Sequence, residues 1–141
     1  MTERKSNPRK GQRTSEESRA AILQATREEM AENGWRKFSV DKVSRKAKAS
    51  KQTIYRWWPA IGYMCIVAAM ELVPQGSTRG RDPAERIAAL LIPLEEATRH
   101  GSGHAVLRAA MIAASDDKAA GETWRLWMKA NVRAPLRLIL A

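Results

Sequence analysis

Ser39 and Ser50 each stand immediately before a short run with helical periodicity. Serine is a preferred N-cap because its hydroxyl accepts an orphan backbone N–H of the first turn. After Ser39, the residues Val40, Val43 and Ala47 fall at i, i+3 and i+7. Asp41 sits in that first turn, where the helix dipole favours negative charge. After Ser50, the inward positions are Ile54 and Trp58, and Pro59 closes the unit. Lys48-Ala49-Ser50 is the tight turn between the two runs. The pattern predicts two short helices joined as a helix-turn-helix.

The rest of the chain reads as helix throughout, with no strand-like alternation and no internal repeat. Thr14 with Glu17 fits a capping box and opens a first helix. Its inward face is Ile22, Leu23, Thr26 and Met30, and Asn33-Gly34 ends it. A fourth helix runs from about Ala60 to Val73, followed by a loop from Pro74 to Arg81 that is read as a domain boundary. Asp82-Pro83-Ala84-Glu85 restarts a helix with an acidic cap and proline at N1, continuing through Ile87, Leu90, Leu91 and Leu94 to about His100. A sixth helix spans His104 to Ser115, and Asp116/Asp117 cap a seventh that runs to the end. The predicted fold is all-α. Residues 1–13 carry Pro8, Gly11 and five Lys/Arg without apolar periodicity, and read as a flexible basic arm.

The charge is unevenly placed. The net charge is +10 and the pI near 10.4. Residues 1–58 carry a net +8, and from Arg36 to Arg56 eight basic residues face only Asp41. Such a field attracts polyanions. A helix-turn-helix lays its second helix in the major groove with the N-terminal residues at the base edges. Those residues are Lys51, Gln52 and Thr53. Lysine donates to guanine O6/N7, glutamine pairs with adenine, and threonine offers a hydroxyl or a methyl. Tyr55, Arg56 and Trp57 follow where the helix passes the phosphates, each with a donor. Ser39 and Ser50 mark helix N-termini, which also favour phosphate.

These residues carry a resemblance. Phe38-Ser39-Val40-x-x-Val43, then Ala47-x-x-Ser50-Lys51-Gln52-Thr53-Ile54-Tyr55-Arg56-Trp57-Trp58-Pro59, resembles the DNA-binding domain of the TetR/AcrR transcriptional regulators, and Ile22-Leu23, Ala25 and Gly34 fit the same pattern. The resemblance covers about residues 14–59. It implies a DNA-binding domain over 14–59 and a helical regulatory and dimerisation domain over 60–141. It also implies a homodimer on double-stranded DNA with a palindromic operator, and repression relieved by a small effector. Ser39, Ser50, Lys51, Gln52, Thr53, Tyr55 and Trp57 would contact DNA, Tyr55 as a phosphate anchor, with Ile54 and Trp58 in the core. Two departures stand out. The family's turn glycine is Lys48 here, so the turn is either strained or reshaped, since a left-handed non-glycine residue costs roughly 1–2 kcal/mol. The lysine that usually opens the fourth helix is Ile61, and the basic arm is the candidate substitute for its phosphate contact.

The later residues are less distinctive. Leu91, Leu94, Leu107, Met111, Trp124, Trp127 and Met128 are the apolar candidates for a pocket that would suit a small apolar effector, against ordinary core packing. The chain stops at Leu138-Ile139-Leu140-Ala141 inside an apolar pattern, and the resemblance implies two further dimerisation helices, so the second domain reads as incomplete. Trp124, Leu136 and Leu140 would then lack cover. His100 and His104 flank a Gly101-Ser102-Gly103 turn and read as a helix cap and a surface residue rather than a metal pair. Cys65 lies in an apolar run and reads as a buried thiol. No cofactor, metal or catalytic constellation is expected, nor a signal peptide or membrane span, and the expected compartment is the cytoplasm. The competing reading is a DNA-binding module that lacks effector sensing and stable dimerisation.

Overall fold

Side-chain caps set the helix starts in the computed structural model, which describes residues 13–141. The predicted arm lies outside the described residues except for Arg13. The helices are α1 (Ser15–Asn33), α2 (Val40–Ala47), α3 (Lys51–Trp57), α4 (Ile61–Met70), α5 (Pro83–Arg99), α6 (Gly103–Asp116), α7 (Lys118–Met128) and α8 (Ala134–Leu140). A π-helical segment, Lys129–Arg133, joins the last two. Among the described residues there is no strand, as the all-α reading expects, and no helix long and apolar enough to cross a membrane.

The capping box of α1 is complete: Thr14 Oγ1 accepts the Glu17 N–H at 3.2 Å, and Glu17 Oε2 accepts the Thr14 N–H at 3.3 Å. Gly34 ends α1 at φ 69°, ψ −174°, an extended conformation with positive φ that only glycine adopts freely. Asp82 caps α5 through the Glu85 N–H at 2.9 Å, and Asp117 caps α7 through the Ala120 N–H at 3.0 Å.

Two helices serve two cores. One face of α1 (Ile22, Leu23, Ala25) and of α4 (Met64, Ala68) closes over Val43 and Ala47 of α2 and Ile54 and Trp58 at α3. Further along the same two helices, Met30, Cys65, Ile66, Ala69 and Met70 pack against α6 (Val106, Leu107, Ala109, Ala110, Ala113) and Ala120 of α7. The second core is rich in alanine, so its helices approach closely.

Two prolines shape the rear. Pro93 lies inside α5 and has no N–H to give the Ala89 carbonyl one turn back. That oxygen instead accepts the Ser77 N–H at 3.2 Å, while Arg86 Nε donates to Thr78 O at 2.8 Å. The loop after α4 is thereby tied to α5. Pro135 likewise frees the Asn131 carbonyl, and the helix widens just before it, the Ala134 N–H donating to Lys129 O. Asn131 Nδ2 donates to Trp127 O at 3.0 Å across this turn. The single last helix expected from the sequence is thus α7, a π turn and α8 in succession.

Candidate nucleic-acid interface

α3 stands on a rigid base. Ile54 is fully buried and Trp58 nearly so. Arg19 lies over the Trp58 ring, 5.9 Å from its centroid, and pairs with Glu71 at 2.7 Å. Ser50 Oγ accepts the Thr53 N–H at 3.1 Å and lies 2.9 Å from Thr53 Oγ1, so the predicted cap is present.

The turn before α3 is the strained alternative. Lys48 sits at φ 52°, ψ 43° and is the one non-glycine residue with positive φ among those described. Its N–H reaches Arg45 O at 3.3 Å, and the Ala49 N–H reaches Ser44 O at 3.1 Å. Ser44 Oγ donates to Ala49 O and Arg13 Nη1 to Ala47 O, both at 2.5 Å. The left-handed bend thus satisfies the Ser44 and Arg45 carbonyls, and Arg13 the Ala47 carbonyl, at the end of α2.

α2 is fixed to α1 by a residue that the sequence reading missed. Glu29 is fully buried, and its carboxylate accepts the Ser39 N–H at 3.3 Å and Asn33 Nδ2. Ser39 Oγ in turn accepts the Lys42 N–H at 3.3 Å, capping α2 as predicted. The available signal was spacing: Glu29 falls on the same helical face as Ile22, Thr26 and Met30, unlike Glu28 and Glu32.

On this base the structure brings the DNA-reading candidates to one exposed face. Lys51, Gln52, Arg56, Tyr55 (40% exposed) and Trp57 (38%) are accessible, Thr53 and Ser39 are half-buried, and Ser50 is exposed at the helix end. The Trp57 ring lies 5.9 Å from that of Trp58, on its outer side. Lys51 Nζ is paired with Asp41 Oδ1 of α2. Hydrogen bonding and charge from Lys51 hold the Asp41 carboxyl below the usual range, and Asp41 raises the Lys51 ammonium correspondingly. Ile61, where the resemblance would place a lysine, is half-buried and packs against the rear core.

The corner between α6 and α7 touches this head. Arg36 Nε lies 3.8 Å from Asp116 Oδ2. Asp117 packs against Gly62 in the first turn of α4 so closely that a Cβ on Gly62 would overlap its Oδ2. Tyr55, Trp35, Phe38, Gly62 and Asp117 line one open cavity of 530 Å³.

The seven residues expected to line an effector pocket are not all brought together. Leu107 is buried in the rear core, whereas Met111 is 58% exposed. The buried stripe of α6 runs through Val106, Ala110 and Ala113, which puts Leu107 at its edge and Met111 beyond it. Leu91 is exposed; Trp124 and Trp127 are half-buried against the core, and Met128 is half-buried. Leu91, Leu94 and Trp127 alone among them line a common cleft, of 20 Å³. A larger cavity of 540 Å³ opens elsewhere, between α1 (Gln24, Arg27, Glu28), Pro93 to Ala97 of α5 and the Gly101–Gly103 turn. His100 is the C-cap of α5 and His104 is exposed on α6. Burial pushes the Cys65 thiol far up, which keeps it protonated. Among the described residues no three His, Cys, Asp or Glu gather where a metal ion would sit.

A capped, buried-backed α3 with a basic, donor-rich outer face defines a helix-turn-helix DNA-binding protein. Residues 22–60 match the family model described as bacterial regulatory proteins, tetR family. The match places residues 22–60 with the DNA-binding domains of that family. The uncharacterized HTH-type transcriptional regulator YdeS of Bacillus subtilis is 40% identical over 50 residues, covering 36% of this chain and 25% of YdeS. The uncharacterized HTH-type transcriptional regulators Mb1581 of Mycobacterium bovis and Rv1556 of Mycobacterium tuberculosis are each 27% identical over 124 residues, or 84% of this chain. The match covers 59% of the length of each mycobacterial relative.

Proposed function

We propose that the chain is a sequence-specific transcriptional regulator of the cytoplasm, a repressor that docks as a homodimer on a palindromic operator and is released by a small effector. The observation that carries the DNA-reading part is the exposed face of α3 on its buried base. Lys51, Gln52 and Thr53 face the base edges, while Ser39, Ser50, Tyr55, Arg56 and Trp57 take the phosphates and set the register. The excess of positive charge in the first 58 residues supplies the sequence-independent attraction.

One observation favours the second reading, a DNA-binding module without effector sensing or stable dimerisation. The seven apolar pocket candidates enclose no one common cavity.

Selection from a random-sequence duplex pool tests the reading head, followed by titration of the enriched duplex. Lys51→Ala is expected to weaken binding about tenfold or more and to loosen one base position, at about 1–3 kcal/mol per base contact. Tyr55→Phe is expected to weaken binding of all duplexes alike. Unchanged affinity in both variants overturns the assignment of α3. Light scattering with and without the duplex separates the two readings: a dimer on DNA supports the repressor, and a persistent monomer supports the module.

A further inference from the structure

The ion pair between Asp41 and Lys51 crosses from one helix of the reading head to the other. Asp41 belongs to the first turn of α2, and Lys51 is the first residue of α3. Neither side chain is needed for the packing of its helix: they are 61% and 55% exposed. The anchor of α2 is elsewhere, in buried Val43 and Ala47 and in the Ser39 cap. Asp41 is also the only acidic residue between Arg36 and Arg56, in a segment otherwise biased to attract phosphate. Set among these cations, its charge opposes the affinity that the remainder of the surface promotes.

Lysine is a compact charge on a flexible stem, and near DNA its nearest strong partners are phosphates. A lysine that settles on a phosphate adds affinity and carries no sequence information. A carboxylate held on the neighbouring helix changes that balance. It neutralises part of the pull toward the backbone and fixes the ammonium in one direction. In free solution an exposed pair of this kind contributes little, because water screens it. In a groove from which water has been expelled, the same pair is stronger.

We infer that Asp41 is a positioning residue that sets base specificity by holding Lys51 off the phosphates and toward the base edge. This role rests on the assignment of α3 as the DNA-reading helix. Asp41 itself lowers affinity for DNA of any sequence and sharpens the preference at the one base pair that Lys51 reads.

The test is selection from a random-sequence duplex pool with the wild type, Asp41→Asn, Asp41→Glu, Lys51→Ala and the Asp41→Asn/Lys51→Ala double variant. Salt titrations on a random-sequence duplex accompany it. Asp41→Asn is expected to loosen the same base pair as Lys51→Ala and no other, while Asp41→Glu retains the preference. Affinity of Asp41→Asn for random duplex rises about three- to tenfold at low salt, and the slope of log K against log salt steepens by about 1. Adding Lys51→Ala returns the slope to its former value. A merely structural role would lower the melting temperature and weaken all duplexes while leaving the preference intact; that result overturns the inference. So does wild-type preference in Asp41→Asn, or loosening at a different base pair. If the wild type enriches no motif, the DNA-reading assignment itself falls and Asp41 loses its role with it. That outcome is distinct from an enriched motif that Asp41→Asn reproduces.

Discussion

Replacing Lys48 by glycine should leave this protein more stable than replacing it by alanine, although glycine adds no contact. Lys48 occupies the left-handed region at φ 52°, ψ 43°, and its side chain is exposed. A residue with a Cβ loses roughly 1–2 kcal/mol there. Glycine escapes that cost but loses about 0.5–1 kcal/mol more backbone entropy on folding than alanine. The difference leaves a net gain of about 0.5–1 kcal/mol for Lys48→Gly relative to Lys48→Ala. At about 2.1 cal/mol/K per residue of unfolding entropy, a chain of this length gains about 2–3 °C in Tm. Alanine is the right reference because both variants lack the cation, so its interaction with the end of α2 cancels. The assay is thermal melting of the two variants and the wild type under one buffer. Lys48→Ala at least as stable as Lys48→Gly would refute the reasoning, because the bend would then carry no Cβ-dependent strain. The same pair of variants bears on DNA: both lose one cation, so they should bind equally unless the bend itself moves α3.

Other substitutions probe the joints of the fold. Gly62→Ala places a methyl onto Asp117 Oδ2 and should cost about 1–3 kcal/mol in a denaturant titration, the range for overpacking a filled site. Glu29→Ala strands the half-buried Ser39 N–H and Asn33 amide and should cost about 1–3 kcal/mol, with amide exchange fastest at the start of α2. Asp41 should titrate below the ordinary carboxylate range by carbon-detected NMR and return toward it in Lys51→Ala. Because its folded pKa is depressed, the pair's contribution is present above the unfolded value and is lost as pH falls through the folded one. The opposite direction of shift would remove the ion pair from the account.

Local signals were the legible part of this sequence. Thr14 with Glu17, Ser39, Ser50, Asp82 and Asp117 each announce a helix start because a cap is a contact within a few residues, and all five caps are formed. The exposed face of α3 was legible for the same reason: once Ile54 and Trp58 point inward, the positions of Lys51, Gln52 and Tyr55 follow from helical geometry. What joins distant residues was not legible. Glu29 looks like its solvated neighbours until Ser39 is folded over it, and Asp41 and Lys51 meet only through the turn at Lys48. How the apolar pocket candidates are spread was not legible for a related reason. Apolar periodicity identifies a helix's inner side but not how closely two inner sides approach, and here Ala69, Ala110 and Ala113 close the gap. The tie from Ser77 to the carbonyl freed by Pro93, which joins the loop after α4 to α5, is another such link between distant residues.

α1 and α4 each contribute side chains to both cores, and this bears on how the molecule comes apart. Neither core can be exposed without stripping one side of the same two helices. Unfolding should therefore be a single cooperative event spanning the DNA-reading and rear cores, with coincident transitions by far-UV and tryptophan signals. Trp58 reports one core, and Trp124 and Trp127 report the other. A compound that tightens the rear would then slow proteolysis within the helix-turn-helix without touching it, and a duplex on α3 would protect the rear in the same way.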